Sequence, residues 1–117
     1  MIMELRSVYT QAGNDYDGAI NRTAGDEELL LSLLDMFKND ANWTELNNAL
    51  KSNDVKAAFA AAHALKGSCG MLGMTGLFSV MQPMTEALRS GELTEAKDLL
   101  PKAEREYKAT IELIEQL

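Results

Sequence analysis

The sequence predicts an all-α protein: an antiparallel four-helix bundle with short extra helices at its N-terminus. Three observations predict it. Apolar residues recur at helical spacing along the chain. Prolines are few, two in 117 residues, and β-branched runs are scarce. The breaks between amphipathic segments are short, which makes consecutive helices antiparallel neighbours. At this length one hydrophobic core is expected, so residues 1–117 are read as a single domain.

The elements follow in order. Leu5, Val8, Tyr9 and Ala12 fall at helical spacing within residues 2–12, and Gly13-Asn14-Asp15 reads as a turn. A short helix over Tyr16 to Thr23 should turn Ile20 inward. Asp26 is an N-cap, and Glu27 and Glu28 suit the positive end of the helix that follows. Leu30, Leu33, Leu34, Phe37 and Ala41 share one face, but Trp43, Leu46 and Leu50 share a nearly opposite one. Either the helix breaks near Asn39–Asn42 or it is buried on two sides. Asn42 with Glu45 three residues on is a candidate capping box and favours the break. Trp43 is expected to pack on a neighbouring helix.

Ser52-Asn53-Asp54 opens the next helix, and Gly73 is placed to end it as a C-terminal glycine cap. Thr75 is a candidate cap for the helix that carries Leu77, Val80, Met81, Met84 and Leu88 on one stripe. Pro83 should kink it, since proline removes a backbone donor. After a turn at Ser90-Gly91, Ala96, Leu99, Leu100, Ala103, Tyr107, Ile111 and Ile114 keep one phase across Pro101. That predicts a single bent helix.

The helix between Asp54 and Gly73 carries the chain's one histidine, His63. Its alanine-rich first half strongly favours helix. At about 100° per residue, Ala58, Ala61, Leu65, Cys69 and Leu72 gather on the core side. His63 lies opposite them, with Lys56, Phe59, Ala60, Lys66, Gly67 and Gly70. A glycine inside a helix costs about 1 kcal/mol relative to alanine, and packing asks for neither Gly67 nor Gly70. Both lower the wall beside the imidazole, so that another molecule can come close. Lys66 is within side-chain reach of His63. Such a site suits a transient anionic group on the histidine.

His63-Ala64-Leu65-Lys66-Gly67-Ser68 followed by Leu72-Gly73 resembles the signature of histidine-containing phosphotransfer (HPt) domains. Gly25-Asp26-Glu27-Glu28-Leu29, Phe37, Leu46, Ala49-Leu50 and Asn53-Asp54 fall where that family has its preceding helix and turn. The resemblance extends along nearly all of the chain. It implies a phosphocarrier rather than an enzyme. An aspartyl phosphate of a receiver domain would donate to His63, with Nε2 as the attacking atom, and His63 would pass the group to another receiver. Imidazole suits this, because with an ordinary pKa of about 6.5 much of it is neutral and nucleophilic near pH 7. Lys66 would neutralise phosphate charge and Gly67 would admit the partner. Lys56, Phe59, Ala60, Gly70 and Arg89 are candidate partner contacts, with Phe59 as an exposed anchor. Thr85 is a plausible neighbour of the site; many family members have glutamine or glutamate near there, so no role is carried over to it. The resemblance puts Mg²⁺ on the partner receiver, and no cofactor or metal on this chain. A hybrid sensor histidine kinase and response-regulator receiver domains are the implied partners.

Composition narrows the alternatives. Eighteen acidic against eleven basic residues give a net charge of −7. That disfavours nucleic acid, which requires phosphate-neutralising basic surface, and anionic membranes. One cysteine forms no internal disulfide, which points to a reducing compartment. No apolar run reaches the roughly 18 residues of a membrane span, and the first residues lack the plan of a signal peptide. A cytoplasmic monomer is expected. The length fits a free-standing protein as well as a domain of a larger sensor. Cys69 and the methionines Met81 and Met84 read as core. The dimerisation domain of a histidine kinase places Glu/Asp and then Arg/Lys-Thr-Pro after its histidine; here Ala64-Leu65-Lys66 stands instead. A helical adaptor without phosphotransfer is the remaining alternative.

Overall fold

A computed structural model describes residues 4–117. Among these residues there are seven helices and no strand: α1 (Leu5–Gln11), α2 (Tyr16–Arg22), α3 (Glu27–Lys38), α4 (Asn42–Lys51), α5 (Val55–Leu72), α6 (Thr75–Arg89) and α7 (Leu93–Glu115). The expected all-α class holds. Residues 2 and 3 of the first expected helix lie outside the described residues.

α4, α5, α6 and α7 pack consecutively, and α3 lies against α5 and α7. Aromatic contacts close the bundle. Trp43 of α4 stacks on Tyr107 of α7 with ring centroids 4.4 Å apart, and Phe37 of α3 meets the same tyrosine at 6.0 Å. The core-side residues expected on α5 and α6 are all buried. α7 buries Ala96, Ala103 and Ile114 of its expected stripe and half-buries the rest, adding Thr110 and Leu113. It is one helix across Pro101, and α6 likewise runs through Pro83.

The two faces of the segment after Asp26 resolve as a break. α3 ends at Lys38, and α4 starts at Asn42. The Asn42–Glu45 capping box does not form. Asn42 is already the first helical residue, and Asp40 does the capping, its Oδ1 accepting from the Asn42 N–H at 2.6 Å. Ala41 falls after the break and is exposed rather than sharing the buried face of Leu30, Leu34 and Phe37. Ile20 and Leu33 are half-buried; on α2 it is Ala19 that is fully buried.

Helix ends leave backbone groups without intrahelical partners, and here they explain the N-terminal helices. α5 starts on Asp54, whose carboxylate accepts from the Ala57 N–H at 3.1 Å. It ends at Gly73 in the left-handed conformation, φ +69°, with the Met74 N–H reaching back to the Cys69 carbonyl at 3.0 Å, a Schellman arrangement. The carbonyls past that point are met by α1, α2 and the turn between them. The Arg22 Nε–H donates to the Met71 carbonyl, the Tyr9 hydroxyl to the Leu72 carbonyl and the Asp15 N–H to the Gly73 carbonyl, at 2.8, 2.8 and 2.9 Å. Thr75 does not cap α6. Its own N–H donates to Asn14 Oδ1 at 3.1 Å, so that cap also comes from the N-terminal turn.

Cys69 is buried, and burial pushes its thiol up from an ordinary value of 9.0 to about 12. Burial also raises the Tyr9 phenol. Both folded groups stay protonated where the unfolded chain has ionised, so the folded state binds more protons and stability falls as pH rises. For Cys69 the window runs from about 9 to 12. Urea unfolding at stepped pH is expected to give a flat stability up to about pH 9 and a decline above it, steepest where Tyr9 joins.

Candidate functional site

α5 carries His63 at mid-length on the face turned away from the core. Its imidazole is exposed, as are Lys56, Ala60 and Gly67 along the same face. Ala58, Ala61, Ala62 and Leu65, on the other side, are buried. The core stripe thus fixes which way His63 points, because rotating α5 to hide the imidazole would expose that stripe. Among the described residues, no side chain donates to the imidazole or accepts from it.

The two glycines differ. A Cβ built on Gly67 meets nothing within 4 Å, so the backbone beside His63 lies open. A Cβ on Gly70 meets Phe78 Cε2 of α6 at 3.4 Å, and Gly70 is half-buried. Gly70 therefore packs against this chain's own Phe78 and offers less open backbone than its place on the helical wheel implied.

Lys66 is half-buried, and neither Lys56 nor Lys66 has an ion-pair partner among the described residues. Arg89 of α6 joins them. Its guanidinium carbon lies 4.9 Å from the centroid of the Phe59 ring, and its Nε is 3.3 Å from Glu86 Oε2. A chain of net charge −7 thus carries Lys56 and Lys66 on the helix of His63 and Arg89 against the neighbouring Phe59 ring.

Two expectations are corrected. Phe59 is not an exposed anchor; it is half-buried and packs on the core. Its ring fills the seam between α5 and α6, stacked on His63 with centroids 5.7 Å apart and planes 19° from parallel. Thr85 is not at the site surface. It is fully buried, with its hydroxyl donating to the Met81 carbonyl at 2.6 Å. It falls inside the α6 stripe, four residues after Met81, and the intrahelical bond satisfies the hydroxyl so that it tolerates burial.

Reasoning from the sequence passed over Phe78 and Glu86, and also an apolar groove beside the site. Leu33, Met36 and Phe37 of α3 face Ser68, Met71 and Leu72 of α5 across it, with Met36 and Met71 exposed. Met71 is one turn beyond Gly67, so the helical wheel of α5 held that signal. Among the described residues no three His, Cys, Asp or Glu side chains come together as a metal site, and no helix is long and apolar enough to cross a membrane.

The fold and this face together define a helical bundle that carries one exposed histidine beside open backbone. The family model of the Hpt domain matches residues 28–117, and the chain belongs to that family. Hpt domains are phosphocarrier modules of two-component phosphorelays rather than enzymes. No curated protein and no solved structure matches the chain. α1 and α2, which meet the carbonyls at the end of the histidine helix, lie outside the matched span.

Proposed function

We propose that this chain is a single-domain phosphorelay intermediate whose phosphoacceptor is His63. An imidazole nitrogen attacks the phosphorus of a receiver's aspartyl phosphate. The N–P bond forms as the acyl phosphate P–O bond breaks, and the aspartate leaves with the electron pair as carboxylate. The reverse displacement, by the aspartate of a second receiver, unloads the histidine. Such a transfer asks mainly for in-line approach and charge neutralisation. The observation that carries the reading is the exposed imidazole beside bare Gly67. Lys66 neutralises the bound phosphoryl oxygens, and Lys56 and Arg89 meet the acidic rim of the receiver. Mg²⁺ belongs to the receiver's acidic cluster, and a hybrid sensor kinase is the source of phosphate. Cytoplasmic location and a monomeric state complete the proposal.

The test is to incubate the protein with a phosphorylated receiver domain and Mg²⁺. Acid-labile, base-stable label on the chain is expected, and none with ATP alone. No label from any of several receivers would leave a helical adaptor as the reading.

Gly67 offers a sharper check of the docking face. Gly67→Ala should raise stability by about 0.5–1 kcal/mol, since helix propensity improves and nothing is in the way. Gly67→Leu should melt no lower than the natural protein, yet reduce transfer at least tenfold by holding the receiver off. Undiminished transfer in Gly67→Leu would mean that the partner does not cross this part of α5.

A further inference from the structure

An exposed histidine ordinarily samples several staggered rotamers, and in-line transfer suffers when the nucleophile is misaimed. With no hydrogen bond to the ring among the described residues, the orienting contact is aromatic. Phe59 precedes His63 by four residues, a spacing that brings helical side chains face to face. Its ring lies 5.7 Å from the imidazole and nearly parallel to it, within the range of favourable aromatic pairs. Phe59 is itself held from the other helix. Arg89 sits over the ring at 4.9 Å, and Glu86 holds Arg89 by a 3.3 Å ion pair. Phe59 is half-buried on the core, which limits its own motion.

We infer that Phe59, clamped by Arg89, is a positioning residue that fixes the orientation of the His63 imidazole before a receiver arrives. The phosphoryl group itself touches neither. This rests on the reading of His63 as phosphoacceptor, and it changes the part Phe59 plays: its ring serves the nucleophile instead of the partner.

Phe59→Leu keeps an apolar side chain in the seam but removes the stacking face. At saturating receiver the transfer rate should fall about tenfold, while the Kd for the receiver changes less than twofold. Phe59→Tyr should restore the rate. Arg89→Met should lower the saturated rate by a smaller factor and also weaken the Kd, since Arg89 meets the rim of the receiver as well, and Arg89→Lys should recover part of both. An arm without a partner reads the ring itself. Three-bond couplings of His63 should report one dominant χ1 rotamer in the natural protein and in Phe59→Tyr, and averaging in Phe59→Leu. A weakened Kd with an unchanged saturated rate would make Phe59 a partner anchor and overturn the inference. So would couplings identical in Phe59→Leu and the natural protein. If the natural protein takes no label, the phosphoacceptor reading fails instead, and the coupling arm still reports whether Phe59 orients the ring.

Discussion

His63→Gln is expected to take no label from a phosphorylated receiver while folding as the natural protein does. The loss should be complete to background, because this is the one histidine in 117 residues and glutamine's amide has no nucleophilic nitrogen at neutral pH. Stability should change by no more than about 0.5 kcal/mol, the usual range for an exposed position. The imidazole is exposed, and its contact here is the Phe59 ring. Far-UV circular dichroism and thermal melting check the second half. Label retained in His63→Gln would move the acceptor elsewhere. A collapsed fold would mean that His63 is structural.

The second large effect concerns stability. Gly73→Val should cost about 3 kcal/mol or more, from left-handed strain together with a broken hydrogen-bonded junction. Gly73 has φ +69°, and a Cβ there would overlap the Asp15 carbonyl oxygen. The obstacle is backbone and cannot swing aside. Relieving it must pull the α1–α2 turn from the end of α5, taking with it the Asp15 N–H bond to the Gly73 carbonyl. Gly91→Val is the control. Gly91 has φ +74°, but a Cβ there meets nothing within 4 Å, so it carries only the left-handed strain, about 1–2 kcal/mol. Urea denaturation of both variants separates the terms. Equal losses would show that the N-terminal turn adds no stability at that junction.

How much of this was legible depends on how far apart the interacting residues lie in the chain. The exposed face of α5 follows from its own periodicity, since the small core stripe Ala58, Ala61, Leu65, Cys69 and Leu72 leaves one orientation. The break after α3 is legible as a conflict between two faces, although the candidate capping box at Asn42 gives way to Asp40. The junction at the end of α5 was not legible. Tyr9 and Leu72, Asn14 and Thr75, Arg22 and Met71 are separated by 63, 61 and 49 positions, and no helical period links them. Phe59 lies on the face its periodicity predicts but is half-buried, because a wheel drawn for one helix omits the neighbour along its flank. The turn supplies what the wheel omits. Gly70 and Phe78 stand four residues either side of Met74, and Phe59 and Arg89 stand fifteen either side. Antiparallel helices of equal rise bring such pairs level; which faces then meet is set by how α6 packs on α5.

In the proposed relay, the exposed imidazole of His63 receives the phosphoryl group. With one histidine in the chain, the imidazole resonances are a one-residue probe, and nitrogen-15 NMR of the protein before and after loading by a phosphorylated receiver reads it directly. One imidazole nitrogen, Nε2, is expected to shift to the phosphoramidate position in proportion to the label taken up, while the backbone spectrum of the bundle changes little. Label incorporated with both imidazole nitrogens unmoved would contradict it.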